Sequence, residues 1–359
     1  MTNPADNLIG IEIPGGWTVI EQLPRPGAAG AEELTGSNFS AGYIASKGSS
    51  RAFLKVIDIH GAIRQDGASS LIERLKNVTD SHTFECAILA ICDKAKMDKV
   101  VRIIQQGEIP APITDVFPVP LPFIMFELAD GDVRKIISKS NKIDDAWKFQ
   151  VLHDIAVGLQ QLHSQNIAHQ DLKPSNVLLF DTQKKGAKLG DLGRASRKGD
   201  AAKHDNLQIA GAISYAPPEQ IYGVTPEEWR DRRESCDLYH LGALAAFMFS
   251  GITPTIHYVK TLSPEIRPPY WKGDGTCDYQ TALPVLTSSF TSFVDSINLD
   301  FPTWAAAELS QIILNACNPD YTKRGDPAAR QQVPRSLGIE AFVSRFDRLA
   351  KRAIIETRK

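Results

Sequence analysis

Residues 167–193, IAHQDLKPSNVLLFDTQKKGAKLGDLG, hold side chains whose types and spacing suit work on charge and metal. Two short apolar runs, 177–180 and 187–189, are separated by the polar stretch 181–186, which predicts a small β-hairpin following a loop. Asp171 and Asn176 fall in that loop and Asp191 just after the second strand, so three oxygen-bearing side chains can converge at one end of the hairpin. One carboxylate can orient an attacking hydroxyl, while Asn176 and Asp191 can supply oxygen ligands to a hard cation that carries phosphates. Lys173 can neutralise charge on a transferred group.

The spacing of these residues resembles that of eukaryotic-type serine/threonine protein kinases, in the form found widely in bacteria. His169, Gln170, Asp171, Lys173 and Asn176 stand at the positions of H-R-D-x-K-x-x-N, and Asp191, Leu192 and Gly193 at those of D-F-G. The resemblance covers roughly residues 17 to 350. It implies a two-lobed α+β fold: a small antiparallel β lobe with one main helix, and a larger, mainly helical lobe. The expected divisions are an N-terminal arm at 1–15, the upper lobe at 16–127, the lower lobe at 128–350 with an extended segment at 255–302, and a tail at 351–359. The implied reaction is transfer of the γ-phosphoryl group of ATP, with magnesium and with manganese able to substitute, to a serine or threonine of a protein substrate. Asp171 would orient the hydroxyl, Lys55 and Lys173 manage phosphate charge, and Asn176 and Asp191 hold the metal.

The elements that must position these groups can be read along the chain. Residues 1–15, with Pro4 and Pro14, look like a loose arm; Trp17, Val19 and Leu23 then suggest a strand. The next hairpin has residues 39–45 on one side and 51–57 on the other. By resemblance Lys55 is the phosphate-contacting lysine and Phe39 the aromatic tip of the glycine-rich loop, followed by Ser40. That loop is poor in glycine here, with Thr35, Ser37, Ser40 and Gly42 at the pattern positions and Gly36 near the start. Phe53 stands where the family places an alanine over the adenine ring. Residues 69–99 have a helical pattern with an interruption near 79–83. By resemblance Glu85 is the helix glutamate that pairs with Lys55, with Glu73 as the competing partner.

The stretch LPFIMFELADGDVRKII reads as a buried strand, a turn and a helix start. It resembles the strand and hinge of the kinases, with Met125 as gatekeeper and Phe126, Glu127 and Leu128 along the adenine edge. Backbone groups at Glu127 or Leu128 are expected to bond the purine. Asp132 resembles the acid that receives the ribose hydroxyls and can equally cap the following helix. Leu178 is expected as the apolar floor of the nucleotide site.

Phe149, Leu152, Ile155, Leu159 and Leu162 recur at helical spacing and predict a long helix under the catalytic loop. His163 near its end is expected to cap the last carbonyls or to lie at the surface, and His169 to be a packed structural histidine. Gln170 replaces an arginine that commonly grips a phosphorylated activation segment, and a neutral amide cannot make that bidentate contact. Full activity is therefore expected without phosphorylation acting through residue 170. Ala212 replaces a threonine hydroxyl that often braces the catalytic aspartate and lysine. Glu219 matches the acid of A-P-E and is expected to pair with Arg324, although the run NPDYTKRGD carries two extra residues before the arginine. Asp237 matches an aspartate that tethers the catalytic-loop backbone. Tyr270, Trp271 and Tyr279, within 255–302, are expected either to cover the lobe or to meet a signalling partner.

Composition narrows the function classes. A chain of 359 residues with 43% hydrophobic and 23% charged residues is an ordinary globular mixture able to bury a large core. A formal charge of −2 gives no reason to expect a nucleic-acid partner. Five scattered cysteines without paired metal spacing are expected as reduced thiols. The start of the sequence has no basic region followed by an apolar segment, and the most apolar stretch, 238–252, is too short to cross a bilayer, so no membrane insertion and a cytoplasmic location are expected. Two alternatives to the enzyme reading are a kinase-like scaffold of weak or no activity and a small-molecule phosphotransferase of related fold.

Overall fold

A computed structural model describes residues 3–24, 40–64, 70–110, 120–139, 143–200, 203–333 and 336–358. It divides into two compact units, Met1–Ala129 and Asp130–Lys359. The fold is that of the protein kinases: one lobe built on an antiparallel sheet with a long helix, and a larger helical lobe.

The first unit is organised by six strands: β1 (Glu12–Ile13), β2 (Trp17–Gln22), β3 (Ser40–Lys47), β4 (Ser50–Ile57), β5 (Ile103–Ile109) and β6 (Leu121–Glu127). They pair antiparallel in the order β1-β2-β3-β4-β6-β5. Side chains alternate between faces along each strand. One face therefore collects Ala41, Tyr43, Ala45, Ala52, Leu54, Val56, Phe123 and Met125 into a core with Ile13, Trp17 and Val19. The N-terminal residues are part of that core rather than a loose arm. Ala5 and Leu8 are fully buried, and the Tyr43 hydroxyl donates to the carbonyl of Ala5. The apolar side chains in PADNLIGIEI offset the entropy of ordering a stretch that its prolines and glycines alone would mark as irregular.

A short helix α1 (Ile59–Arg64) precedes α2 (Leu71–Lys94). Ser70 caps α2 by accepting the backbone N–H of Glu73 at 3.2 Å. The helix runs without the interruption expected near 79–83. Thr79 and Ser81 turn their hydroxyls back onto carbonyls one turn earlier, at 2.9 Å to Leu75 and 2.7 Å to Asn77, so the polar run is absorbed by the helix. Its buried residues, Glu85, Ile88, Leu89 and Cys92, lie in the second half.

The second unit opens with β7 (Gly131–Asp132) and α3 (Val133–Lys139), then the supporting helix α4 (Asp145–Ser164), β8 (Ile167–Ala168), the hairpin β9 (Val177–Phe180) and β10 (Gly186–Leu189), and β11 (Ser196–Arg197). The hairpin pairs Val177 with Leu189 and Phe180 with Gly186. Buried Asp154 of α4 accepts the Ala187 N–H at 2.9 Å and so fixes the hairpin to the helix. Helices α5 (Pro218–Ile221), α6 (Ser235–Ser250), α7 (Pro254–Thr261), α8 (Tyr279–Ile297), α9 (Ala306–Ala316), α10 (Pro327–Gln332) and α11 (Ile339–Glu356) complete the lobe. Helix α6 is buried along most of its length, and α11 packs its Phe342–Phe346–Leu349 stripe within the lobe, against α4. Among the described residues no helix is long and apolar enough to cross a membrane.

Within 255–302 the aromatic side chains mostly cover the lobe. Trp271 is buried and stacks on Tyr258 with centroids 5.5 Å apart, while the Tyr279 hydroxyl donates to the Pro319 carbonyl at 2.6 Å; Tyr270 alone of the three remains exposed. Arg324, with no exposed surface, grips Glu219 through two parallel bonds of 2.7 and 2.8 Å and also donates to Ser235 and to the Asn318 carbonyl. The two extra residues before Arg324 are absorbed by the three-residue turn Tyr321–Lys323, capped by Asp320, and this turn restores the reach. Removing either partner strands a desolvated charge. Arg324→Ala and Glu219→Ala are each expected to lower the unfolding free energy by about 3 to 5 kcal/mol in a denaturant titration. The double variant should cost clearly less than the sum of the two.

Candidate functional site

In the first unit the sheet face opposite the core carries Lys55. Its neighbours are set by register: Lys55 lies beside Gly42 of β3 and Ile124 of β6, and Phe53 beside Phe126. Lys55 Nζ donates to both carboxylate oxygens of Glu85 at 2.9 Å, and both residues are largely buried. Glu73 sits at the exposed start of α2, three turns earlier. The Lys55–Glu85 pair places an ammonium group at a fixed point on the sheet face.

The β6 side chain on the Lys55 face is one residue away from the expected one. Met125 is fully buried opposite Leu54, in the core, on the face away from Lys55; the side chain presented on the Lys55 face at this level is Phe126, stacked on Phe53 with centroids 6.2 Å apart. A shift of one residue in an extended strand exchanges the faces, which is why Met125 leaves the gatekeeper position. Glu127 is used within its own unit: its N–H donates to the Arg102 carbonyl at 3.1 Å and its carboxylate accepts the Arg102 N–H at 2.9 Å. Ser40 begins β3 and Leu128 follows β6, both half-buried. Thr35, Gly36, Ser37 and Phe39 lie outside the described residues.

In the second unit the loop between β8 and β9 brings together Asp171, Lys173 and Asn176. Lys173 Nζ donates to Asp171 Oδ2 at 2.9 Å, and Asn176 Nδ2 donates to the Asp171 carbonyl at 2.7 Å and to Oδ2 at 3.1 Å. The other carboxylate oxygen, Oδ1, accepts the backbone N–H of Ala212 at 2.9 Å. The hydroxyl that Ala212 lacks is thus replaced, as a bond to Asp171, by the main chain of the same residue. Burial raises the Asp171 pKa above the ordinary carboxylate value; the charge and hydrogen bond of Lys173 oppose this, and the charge of Asp191 adds to it. Asp191 takes a left-handed backbone at φ +56°, directly after Gly190, whose missing side chain makes room for Leu178.

The histidines and Asp237 hold this loop. His169 is fully buried; its Nδ1 accepts the Asp171 N–H at 3.2 Å, so Nε2 carries the proton that bonds the Gly190 carbonyl at 3.0 Å. Asp237, in the first turn of α6, accepts the backbone N–H groups of His169 at 2.7 Å and Gln170 at 2.8 Å. His163 is neither a helix cap nor a surface residue: its Nε2 bonds Asp237 Oδ2 at 2.9 Å. Asp132 accepts the Lys135 N–H at 2.9 Å and so caps α3. Two further residues at this site carry no recognisable motif in the sequence: Arg233, whose guanidinium contacts Gln170 and Asp205, and His204, buried with its Nε2 against the Ala195 carbonyl.

The oxygen donors of this loop suit a hard cation. Asn176 turns its amide nitrogen toward Asp171, which directs its oxygen elsewhere, and the carboxylates of Asp171 and Asp191 lie close enough to repel. A divalent ion beside Asn176 and Asp191 would relieve that repulsion. The second unit thus holds a buried carboxylate with a partnered lysine and oxygen donors for a cation; the first unit, by itself, holds a lysine locked to a helix glutamate.

The sequence pattern of the protein kinase domain matches residues 72–326. The chain is 30% identical over 124 residues to serine/threonine-protein kinase SBK1 of Danio rerio, covering 34% of this chain and 31% of that protein. It is 23% identical over 194 residues to an Aurora kinase of Debaryomyces hansenii, 54% of this chain and 39% of the relative. It is 27% identical over 232 residues to the inhibitor of nuclear factor kappa-B kinase subunit alpha of Xenopus laevis, 60% of this chain and 28% of the relative. The matched stretches thus span well under half of these relatives, and because all three organisms are eukaryotes they lend no support to the bacterial form. The ordered motif set, the fold and a match over most of the sequence agree: the chain belongs to the protein kinase domain family.

Proposed function

We propose that this chain is an ATP- and magnesium-dependent serine/threonine protein kinase that transfers the γ-phosphoryl group to a protein hydroxyl. The observation that carries the reading is the environment of Asp171. Its carboxylate is buried and held at one oxygen by Lys173 and Asn176 and at the other by the Ala212 N–H. A carboxylate so restrained is pre-set to accept a hydrogen bond from an acceptor hydroxyl and to fix its approach. Lys173 stands beside it to meet charge on the group in transfer. Lys55, kept in place by Glu85, is available to phosphate oxygens, and Asn176 and Asp191 would hold magnesium. When bound, the metal nucleotide supplies the phosphoryl group and the neutralising charge on its oxygens. Serine or threonine, rather than tyrosine, is supported by the loop DLKPSN and by the kinases the chain resembles. The scaffold alternative draws on Phe53, whose ring occupies the sheet face beside Lys55; nucleotide binding without transfer would favour it.

The brace on Asp171 depends on a close approach at Gly211. A side chain there would place its Cβ 2.4 Å from the Gln170 carbonyl oxygen and 2.9 Å from Asp171 Oδ1. Gly211→Ala must therefore move either the segment or the catalytic loop.

Four outcomes are expected. With labelled ATP and mixed peptides, transfer to serine or threonine should fall about 100- to 10,000-fold in Asp171→Asn, read by phosphoamino-acid analysis; transfer that survives this change would overturn the role. Gly211→Ala should lower kcat about 10- to 100-fold with an unchanged circular dichroism spectrum. In a pH profile the acidic limb of kcat/KM should lie above the ordinary aspartate value of about 3.9, because burial favours the protonated form of Asp171 and that form cannot accept the hydroxyl. Lys173→Met removes the leading opposing charge and should move the limb further up.

A further inference from the structure

Arg233 is a buried cation that the chemistry above does not use. It is 2% exposed and lies in the π-turn Arg230–Glu234 that leads into α6. Its guanidinium reaches two ways. Nη1 donates to Gln170 Oε1 at 3.2 Å; Nη2 donates to the Asp205 carbonyl at 2.7 Å and lies 3.0 Å from Asp205 Oδ1. Gln170 completes a clamp by donating from Nε2 to the Arg233 carbonyl at 2.8 Å. One side chain thereby joins the residue before Asp171 to the segment between Asp191 and Glu219.

The chemistry of the clamp accounts for the residue types. A cation at position 170 would meet the Arg233 guanidinium, and like charges in a buried place repel. Glutamine is neutral and offers both an acceptor for the guanidinium and a donor for the carbonyl. Burial pulls the Arg233 pKa below its ordinary value, and the charge of Asp205 is the largest effect opposing it. Asp205 is thus the counter-ion that lets Arg233 stay buried. Other bonds pin the same segment: Trp229 Nε1 donates to Ser196 Oγ at 3.1 Å, and Gln208 Nε2 donates to the Gln220 carbonyl at 2.7 Å. The segment ends against Asp171 through Ala212.

We propose that Arg233 is a positioning residue for phosphoryl transfer and that Asp205 is its fixed anion, so that the segment is held in order without being phosphorylated. The positioning role rests on the kinase reading of the site; the clamp itself does not.

The test uses the full chain, dephosphorylated by a phosphatase, as wild type, Asp205→Asn, Asp205→Glu and Arg233→Lys. Kinetics are measured with ATP and a peptide acceptor, and amide hydrogen exchange is followed at 203–212 and, as an internal reference, at 235–250. The dephosphorylated wild type should remain active. Asp205→Asn should lower kcat about 10- to 100-fold, with the KM for ATP changed by less than about twofold, because the misplaced group is Asp171 and not the nucleotide. Asp205→Glu should recover most of the loss, and Arg233→Lys, which keeps the charge without the fork, should recover little. Exchange at 203–212 should quicken in Asp205→Asn while that at 235–250 stays as in wild type. Wild-type kcat and exchange in Asp205→Asn would overturn the proposal, as would a phosphatase-treated wild type that is inactive until rephosphorylated. A wild type that transfers nothing to any peptide would overturn the kinase reading and with it the positioning role; exchange would then decide the clamp alone, with unchanged protection in Asp205→Asn counting against it.

Discussion

The catalytic loop depends on one buried carboxylate. Asp237 has no exposed surface, a costly place for a charge unless its oxygens are satisfied. They are: two successive backbone N–H groups, of His169 and Gln170, point at it, with His163 Nε2 on a third bond. Burial works to raise the Asp237 pKa, and the hydrogen bond of His163, with the backbone hydrogen bond of Gln170, works against it, so the group is held below the ordinary aspartate range. Two consecutive N–H groups can converge on one carboxylate only if the backbone turns sharply between them. Gln170 does so at φ +68°, a left-handed conformation that costs a non-glycine residue about 1 kcal/mol or more. The first turn of α6 thus fixes the geometry of a loop 66 residues earlier, counting from Asp171 to Asp237.

Around this anchor, main-chain atoms do work that the missing side chains would otherwise do. Where a threonine hydroxyl is absent at Ala212, the N–H of the same residue reaches Asp171, and Gly211 permits the approach. Near Arg324 the carbonyl of Asn318 accepts the guanidinium, and the Asn318 side chain accepts the Asp320 N–H. Each substitution in the motifs is local, and the geometry around it survives because backbone donors and acceptors are fixed by the fold rather than by residue type.

The sequence was most legible where hydrophobic period and caps agreed. The hairpin after the catalytic loop, the supporting helix α4 and the Lys55 strand follow from alternation or helical spacing alone. It was least legible where one residue decides a face. Met125 and Phe126 are both large and apolar, and composition cannot say which faces Lys55; only the pairing of Phe53 with Phe126 does. Helix α8 hid behind Pro284 and a run of threonines and serines, whose hydroxyls bond back to the helix, as Thr287 does to the Leu283 carbonyl. His163 and Arg233 carry no motif, because their partners, Asp237 and Asp205, lie far along the chain or in a polar stretch without motif spacing. The loss of charge at Gln170 speaks only against a phosphate grip at that position and does not point to Arg233.

Phe53 poses the sharpest question about the nucleotide face, and the sheet itself supplies a partial answer. A side chain at Gly42, on the neighbouring strand, would place its Cβ 3.1 Å from the Phe53 ring, so the ring lies over that glycine. Phe126 stacks against its other side at an interplanar angle of 25°. The extra volume of phenylalanine over alanine is therefore taken up partly by the missing side chain of Gly42 and partly by a ring-on-ring contact within the strand layer. Lys55, two residues on, keeps both its bonds to Glu85. The pairing of Phe53 with Gly42 thus lets the sheet accommodate the ring while the Lys55–Glu85 bridge beside it stays intact.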